Sequence, residues 1–167
     1  MTGATDAIGR PDQRVGRIWP RPLSLDYLPS GPMITYRTGN DIDLDEMIEV
    51  YVDSTLGERR PVGERDRMAR MLEEANLVIT AWDGESMVGI SRSVTDWVFC
   101  TYLSDLAVRA AYQGQGIGRQ LIRLTRDATP QATVILLSAP KAVDYYPKIG
   151  MTRHNSAWVL WPGEVPV

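Results

Sequence analysis

A chain of 167 residues with 44% hydrophobic and 23% charged side chains is long enough to bury a core of its own. Its formal net charge of −3 gives no basic footprint for nucleic acid. A single cysteine, Cys100, excludes a disulfide framework, and a single histidine, His154, excludes a multi-histidine metal centre. No apolar run reaches the length of a membrane-spanning helix, and the first 32 residues lack the apolar stretch of a signal peptide, so a cytoplasmic protein without a membrane partner is expected.

Residues 1–32 carry Arg10, Arg14, Arg17 and Arg21 among Pro11, Pro20, Pro22, Pro29 and Pro32. Proline at that density breaks regular elements, so an irregular extension is expected ahead of a domain spanning 33–167. Were the extension an arm on a neighbour, Ile18, Trp19 and Leu23 would be its anchors. "MITYRT" reads as a first strand. The next segment has apolar residues at Leu44, Met47, Ile48, Tyr51 and Val52, one face of a helix. Asp43 is its N-cap, with Glu46 placed for a capping box and Ile42 and Met47 for a hydrophobic staple. The helix is expected to end near Gly57. A second helix, from about Gly63 to Ala75, would bury Met68, Met71, Leu72 and Ala75.

"NLVITAWDGESMVGISRSV" is a hairpin pattern with Asp83-Gly84 at the turn. "WVFCTYLSDLAV", Trp97–Val108, is nearly all apolar, as suits a strand buried on both faces. A helix follows the glycines, with Ile117, Leu121, Leu124 and Ala128 on one side and Thr129-Pro130 ending it. "TVILLS", Thr133–Ser138, is another buried strand. In the short helix "PKAVDYYPKIG", Pro147 should break or kink the chain. "TRHNSAWVLW" predicts one or two closing strands. The sum is a mixed, mostly antiparallel α/β sheet of six to seven strands with about four helices on its two faces.

Gln113-Gly114-Gln115-Gly116-Ile117-Gly118 lies between a strand and a helix N-terminus. Unpaired N–H groups and the helix dipole make such a turn an anion cradle, and side chains there would hold a phosphate off the backbone. A purely structural glycine turn is the other reading. A P-loop would need Lys-Ser/Thr where Arg119-Gln120 stand. A dinucleotide fingerprint needs different glycine spacing and the first strand of its unit.

Gln113-x-x-Gly116-x-Gly118 resembles the Q/R-x-x-G-x-G/A motif of the GCN5-related N-acetyltransferase (GNAT) family. "YLSDLAVRAAYQGQGIGRQLI" resembles that family's fourth strand, loop and third helix. "AVDYYPKIGM" is similar to its A-x-x-F/Y-Y-x-K-x-G-F signature. The element order from Met33 onward matches too. The resemblance implies the acyl-CoA N-acyltransferase fold, with strands four and five splayed apart, and acetyl-CoA as co-substrate without a metal.

It further implies that the amides of Gln113, Gly114, Gln115, Gly116, Ile117, Gly118 and Arg119 hold the pyrophosphate. The backbone of Leu106, Ala107 and Val108 would pair with the pantetheine arm. Many relatives have an asparagine where Ala139 stands, so Ser138 is the substitute contact here. Tyr146 matches the aromatic that donates a proton to the leaving thiolate, a suitable role for a phenol of pKa about 10. Tyr145 is assigned to packing. Asp105 matches an acid that relatives often place on strand four, and it is the candidate base for the amine proton. Its other reading is an anchor for local backbone. Asp96, Glu85 and His154 are lesser candidates.

The family's acceptor lies near the segment between the first two helices. Here that segment holds Arg59, Arg60, Arg65 and Arg67 against Glu58, Glu64 and Asp66. Guanidinium groups recognise carboxylate or phosphate bidentately, although nearly balanced charge also suits a solvated helix start. Trp82, Trp97, Trp158 and Trp161 could line an apolar cleft or fill a core. Both faces of "AWVLW" are apolar, which makes a homodimer an option. The activity implied is direct acetyl transfer to a primary amine of a small molecule or peptide; the alternative is an acyl-CoA sensor of the same fold.

Overall fold

The computed structural model describes residues 33–166, so the expectations for residues 1–32 lie outside the described residues. The elements run β1 Ile34–Thr38, α1 Leu44–Asp53, α2 Arg65–Glu73, β2 Leu77–Asp83, β3 Ser86–Thr95, β4 Cys100–Val108, α3 Ile117–Ala128, β5 Thr133–Ile135 and α4 Tyr145–Lys148. Single 3-10 turns cover Leu56–Arg59, Ala110–Tyr112 and Pro140–Ala142.

The five strands form one sheet in the order β1-β2-β3-β4-β5. The first four are antiparallel neighbours, and β5 runs parallel to β4 after the α3 crossover. Helices α1 and α2 cover one face, with Met47, Val50, Tyr51, Met68 and Leu72 in a core against Val78, Trp82 and Ile90. Helix α3 covers the other, setting Ile117 and Leu121 on Leu77, Ile79 and Val88. A Cβ on Gly89 would stand 3.1 Å from the Ala107 carbonyl oxygen and 3.3 Å from Leu121, so glycine at this point lets α3 lie close to the sheet.

Local signals set most of these boundaries. Asp43 caps α1 by accepting the Glu46 amide at 3.0 Å, and Ile42 packs by Met47 as a staple would. The reciprocal half of the capping box is absent, because the Glu46 carboxylate instead accepts the Met87 amide of β3 at 2.6 Å. Gly84 makes the β2–β3 turn at φ 58°. Pro147 sits inside α4 without breaking it. That helix has one turn, and first-turn amides lack an intrahelical acceptor in any case.

Three expectations are corrected. The sheet has five strands among the described residues, since residues 151–166 form none and expose Trp158, Leu160 and Trp161. β4 begins at Cys100, after a turn in which Asp96 accepts the amides of Val98, Phe99 and Cys100. It alternates buried and part-exposed residues rather than burying both faces. β5 is shorter than predicted: pairing with β4 stops at Tyr102–Ile135, and among the described residues Leu103–Val108 continue with β3 as their only partner strand.

Candidate active site

The end of β4–β5 pairing opens a cavity of about 540 Å³. One wall is β4, through Leu103, Ser104 and Leu106. A second is the chain after β5, Leu136, Leu137 and Ala139–Ala142. A third is the 3-10 turn with its approach, Ser54–Leu56, Glu58 and Arg59; Gln113 and Tyr146 complete the lining. Two segments that are remote in sequence therefore meet across a gap that the sheet topology makes.

The gap coincides with an irregularity in β4. Arg92 pairs with Asp105 and the adjacent Ser93 with Leu103, so Ser104 is an extra residue, a bulge. Two arginines clamp it. Arg60 donates through Nη2 to the Ser104 carbonyl at 2.7 Å, and Arg92 donates through Nη2 to Ser104 Oγ at 3.0 Å. Both also bind the next residue. Asp105 Oδ1 accepts from Arg60 Nε at 2.5 Å, and Oδ2 accepts from Arg92 Nε and, at 2.8 Å, from the Tyr51 hydroxyl. Burial, helped by the adjoining carboxylate, pushes the Tyr51 phenol far above its ordinary range and keeps it a donor. Burial works against the charge on Arg92, but Asp105 and Tyr51 outweigh it and raise the guanidinium's proton affinity. Asp105 is itself 1% exposed, and it does not line the cavity although Ser104 and Leu106 do. Asp105 thus belongs to a buried cluster beside the cavity, with both oxygens accepting hydrogen bonds.

Tyr146 does line the cavity. Its ring meets Tyr145 edge-on, with centroids 5.3 Å apart. Burial raises the Tyr146 phenol above its usual value, Tyr145 adds to the rise, and the positive charge of Arg59 opposes it. The group is therefore a phenol, not a phenolate, near neutral pH. Tyr145 has a different place: its hydroxyl would be 3.3 Å from a Cβ on Gly118, so it rests on the first turn of α3.

That first turn has the properties of an anion cradle. Gly116 is its N-cap at φ 86°, with no side-chain cap, and Gly114 is at φ 75°. The first amide to bond within the helix is Gln120, to the Gly116 carbonyl. The amides of Gly116, Ile117, Gly118 and Arg119 have no hydrogen-bond acceptor among the described residues. A Cβ on Gly114 or Gly116 would meet nothing within 4 Å, so the backbone is open to approach there. Gln113 spans cradle and cavity: it lines the cavity and donates its side-chain amide to the Val108 carbonyl at 2.9 Å. Leu106 lines the cavity, Val108 is half-buried and Ala107 is buried toward α1. Ser138 lies between lining residues without lining the cavity itself.

The remaining candidates lie elsewhere. Asp96 organises its turn, and its backbone hydrogen bonds, that from Phe99 foremost, lower its pKa. Glu85 lines a second cavity by Trp82, and His154 is exposed, accepting the Ser156 amide at 3.2 Å. Trp82, Trp97, Trp158 and Trp161 do not line this cavity. Sequence reasoning missed Arg92 and Tyr51 as the partners of Asp105, because nothing local marks a buried arginine on an apolar strand. Glu58 and Arg59 belong to the charged segment that the sequence places near the acceptor, but nothing local separates them from the neighbouring charges that do not line the cavity. Among the described residues no group of three or more His, Cys, Asp or Glu side chains is placed to hold a metal, and no helix is long and apolar enough to cross a membrane.

This arrangement has relatives. An acetyltransferase (GNAT) domain model matches residues 54–159, which include the turn, the splayed strands, the cradle and Tyr146. A Glycine max protein named as a histone acetyltransferase is 25% identical over 154 residues, covering 77% of this chain and 64% of its own length. An uncharacterised N-acetyltransferase of Prochlorococcus marinus is 26% identical over 124 residues, covering 70% and 64%. The chain thus spans just under two thirds of the length of these curated relatives. A solved GNAT-family acetyltransferase from Streptococcus pneumoniae superposes with a TM-score of 0.62 at 24% identity, over 77% of this chain and 97% of that one. An aminoglycoside acetyltransferase from a soil metagenome shares the fold at a TM-score of 0.58 and 19% identity, over 77% and 94%. With its parallel β4–β5 pair opening onto a glycine-capped α3, the chain belongs to the GNAT family of acetyltransferases.

Proposed function

We propose that the protein is an N-acetyltransferase that moves an acetyl group from acetyl-CoA to a primary amine of a small molecule or peptide. The observation that carries this reading is a juxtaposition: unbonded α3 amides, a gap between β4 and β5 reached through Gln113, and a protonated tyrosine on the gap's wall. The residues present suit acyl-CoA. The amides of Gly116 to Arg119 and the Arg119 side chain would take its pyrophosphate, and the free side of β4 at Leu106 to Val108 would take its amide-bearing arm. Acetyl-CoA supplies an acetyl group activated as a thioester.

The chain's own residues then have separable tasks. The cradle and the β4 edge orient, turning a bimolecular encounter into a positioned one. Tyr146 gives its proton to the departing sulfur, for which a phenol held neutral is matched. Asp105 acts as a positioning residue. Its two arginines fix the Ser104 bulge and tie the Leu56–Arg59 turn to β4, which sets the width of the gap.

The runner-up, a module that holds acyl-CoA without turnover, draws support from Asp105 being buried, off the cavity wall and engaged by three donors. Incubating the protein with acetyl-CoA and a panel of amines, amino acids and short peptides, with thiol release as readout, separates the two. Thiol release that depends on the amine supports the transferase. Calorimetric acetyl-CoA binding with no release across the panel supports the module.

A further inference from the structure

Residues 58–67, from the turn after α1 into the first turn of α2, carry seven charged side chains, Glu58, Arg59, Arg60, Glu64, Arg65, Asp66 and Arg67. The fold disposes of most of them. Arg60 is drawn inward to Asp105, Arg65 pairs with Asp45, and Arg67 pairs with Glu64. Glu58 and Arg59 have no ion-pair partner among the described residues, and both line the cavity that Tyr146 lines. Adjacent opposite charges facing one reaction cavity are an unusual use of a surface turn.

The turn that bears them is held on both sides. Leu56 is buried in the core under α1. A Cβ on Gly57 would stand 3.2 Å from the Tyr51 carbonyl oxygen and the Val52 Cα, so the turn lies against α1 with no room to spare. Arg60, just beyond, is anchored on Asp105 and the Ser104 carbonyl. The entry residue is strained: Thr55, β-branched, has φ 68° and ψ 0°, a left-handed conformation that such residues rarely adopt. Strain kept between two anchors fixes where residues 58 and 59 stand.

Resting on the acetyltransferase reading above, we infer that Glu58 and Arg59 form a two-charge recognition element for a zwitterionic acceptor, an amino acid or a short peptide whose primary amine lies near a carboxylate. Glu58 takes the ammonium and Arg59 the carboxylate, which a guanidinium can grip with two parallel N–H donors. In the transfer, the nitrogen–carbon bond forms as the carbon–sulfur bond breaks. The sulfur receives the Tyr146 proton. The bound ammonium first gives one proton through the Glu58 carboxylate to water, which frees the lone pair that attacks; nitrogen sheds its second proton by the same route as the amide forms, and Tyr146 is reprotonated from water. Lys141, also on the wall, lies on the segment after β5 rather than on this turn.

The test compares each of several amino acids and dipeptides with its C-terminal amide, in wild type, Arg59→Gln, Glu58→Gln and Glu58→Asp. Differences in amine basicity cancel when acid-to-amide ratios are compared between proteins. Wild type should prefer the acids, and Arg59→Gln should reduce that preference in kcat/KM by about tenfold or more. Glu58→Gln should raise KM for both members, and Glu58→Asp should recover part of it. The inference is overturned if wild type prefers the amides, if Arg59→Gln leaves the ratio alone, or if it lowers kcat equally for both members, since Arg59 would then act on Tyr146. Unchanged KM in Glu58→Gln also overturns it. Acetyl-CoA binding with no transfer to any acceptor in wild type would instead remove the acetyltransferase reading, and this inference with it.

Discussion

Tyr146 is the residue on which the proposed chemistry turns. Because burial raises its phenol, the proton it must give remains in place across the neutral range. The alkaline loss of kcat is therefore expected only above the ordinary phenol value of about 10. Tyr146→Phe should lower kcat by about a hundredfold, remove that alkaline limb and leave acetyl-CoA affinity close to wild type. Pre-steady-state thiol release across pH measures all three, and an unchanged kcat with chemistry rate-limiting would refute the role. Gly116 makes a different demand. At φ 86° a valine would carry about 1–2 kcal/mol of backbone strain, and its side chain would stand where the backbone is open to a ligand. Gly116→Val should weaken acetyl-CoA binding by at least about tenfold in calorimetry, with the domain still folded by circular dichroism; normal affinity would end the cradle argument.

β4 acts through its bulge. A regular strand would hold pairing on both sides, whereas the extra residue Ser104 falls where the β5 partner is lost. Arg60 and Arg92 meet at Asp105, joining the α1–α2 turn, β3 and β4 in one buried cluster. Removing one partner of such a cluster leaves charge uncompensated. Asp105→Asn should thus destabilise the fold by about 3–5 kcal/mol, read as a shift in urea midpoint with unchanged slope. If Asp105 positions rather than deprotonates, any lost activity should not return at higher pH, where more of the acceptor is already neutral. Recovery at alkaline pH in a variant of undiminished stability would restore the base assignment.

At the scale of the molecule, the surface near the C-terminal end is unusually apolar. Trp158 is 94% exposed and Trp161 63%, while β5, an edge strand among the described residues, leaves Ile135 half uncovered, as is Leu137 just beyond it. Apolar residues beside an unpaired edge favour association with another chain. Concentration-dependent self-association is expected in sedimentation velocity at micromolar concentration, and Trp158→Ser with Trp161→Ser should shift the distribution toward monomer. A single monomeric species for wild type would count against it.

The amino-acid sequence by itself determined the elements whose signals are local. The Asp43 cap, the Asp83-Gly84 turn, the period of Ile117, Leu121 and Leu124, and the stop at Thr129-Pro130 each act within a few residues, and each element stands where these signals put it. The same holds for the cradle, because three glycines ahead of a helix constrain the backbone whatever surrounds them. The C-terminal strands were misread because a β-prone apolar run becomes a strand only when an edge pairs with it. Only tertiary structure decided the fate of the charges. Arg60 and Arg59 are neighbours in sequence and alike in chemistry, yet one neutralises a buried aspartate and the other faces the cavity. Which is which depends on Gly57 letting the turn press against α1 and on a bulge 45 residues later presenting Ser104 and Asp105 to Arg60. Electrostatic pairing acts through space, so no window of sequence contains it.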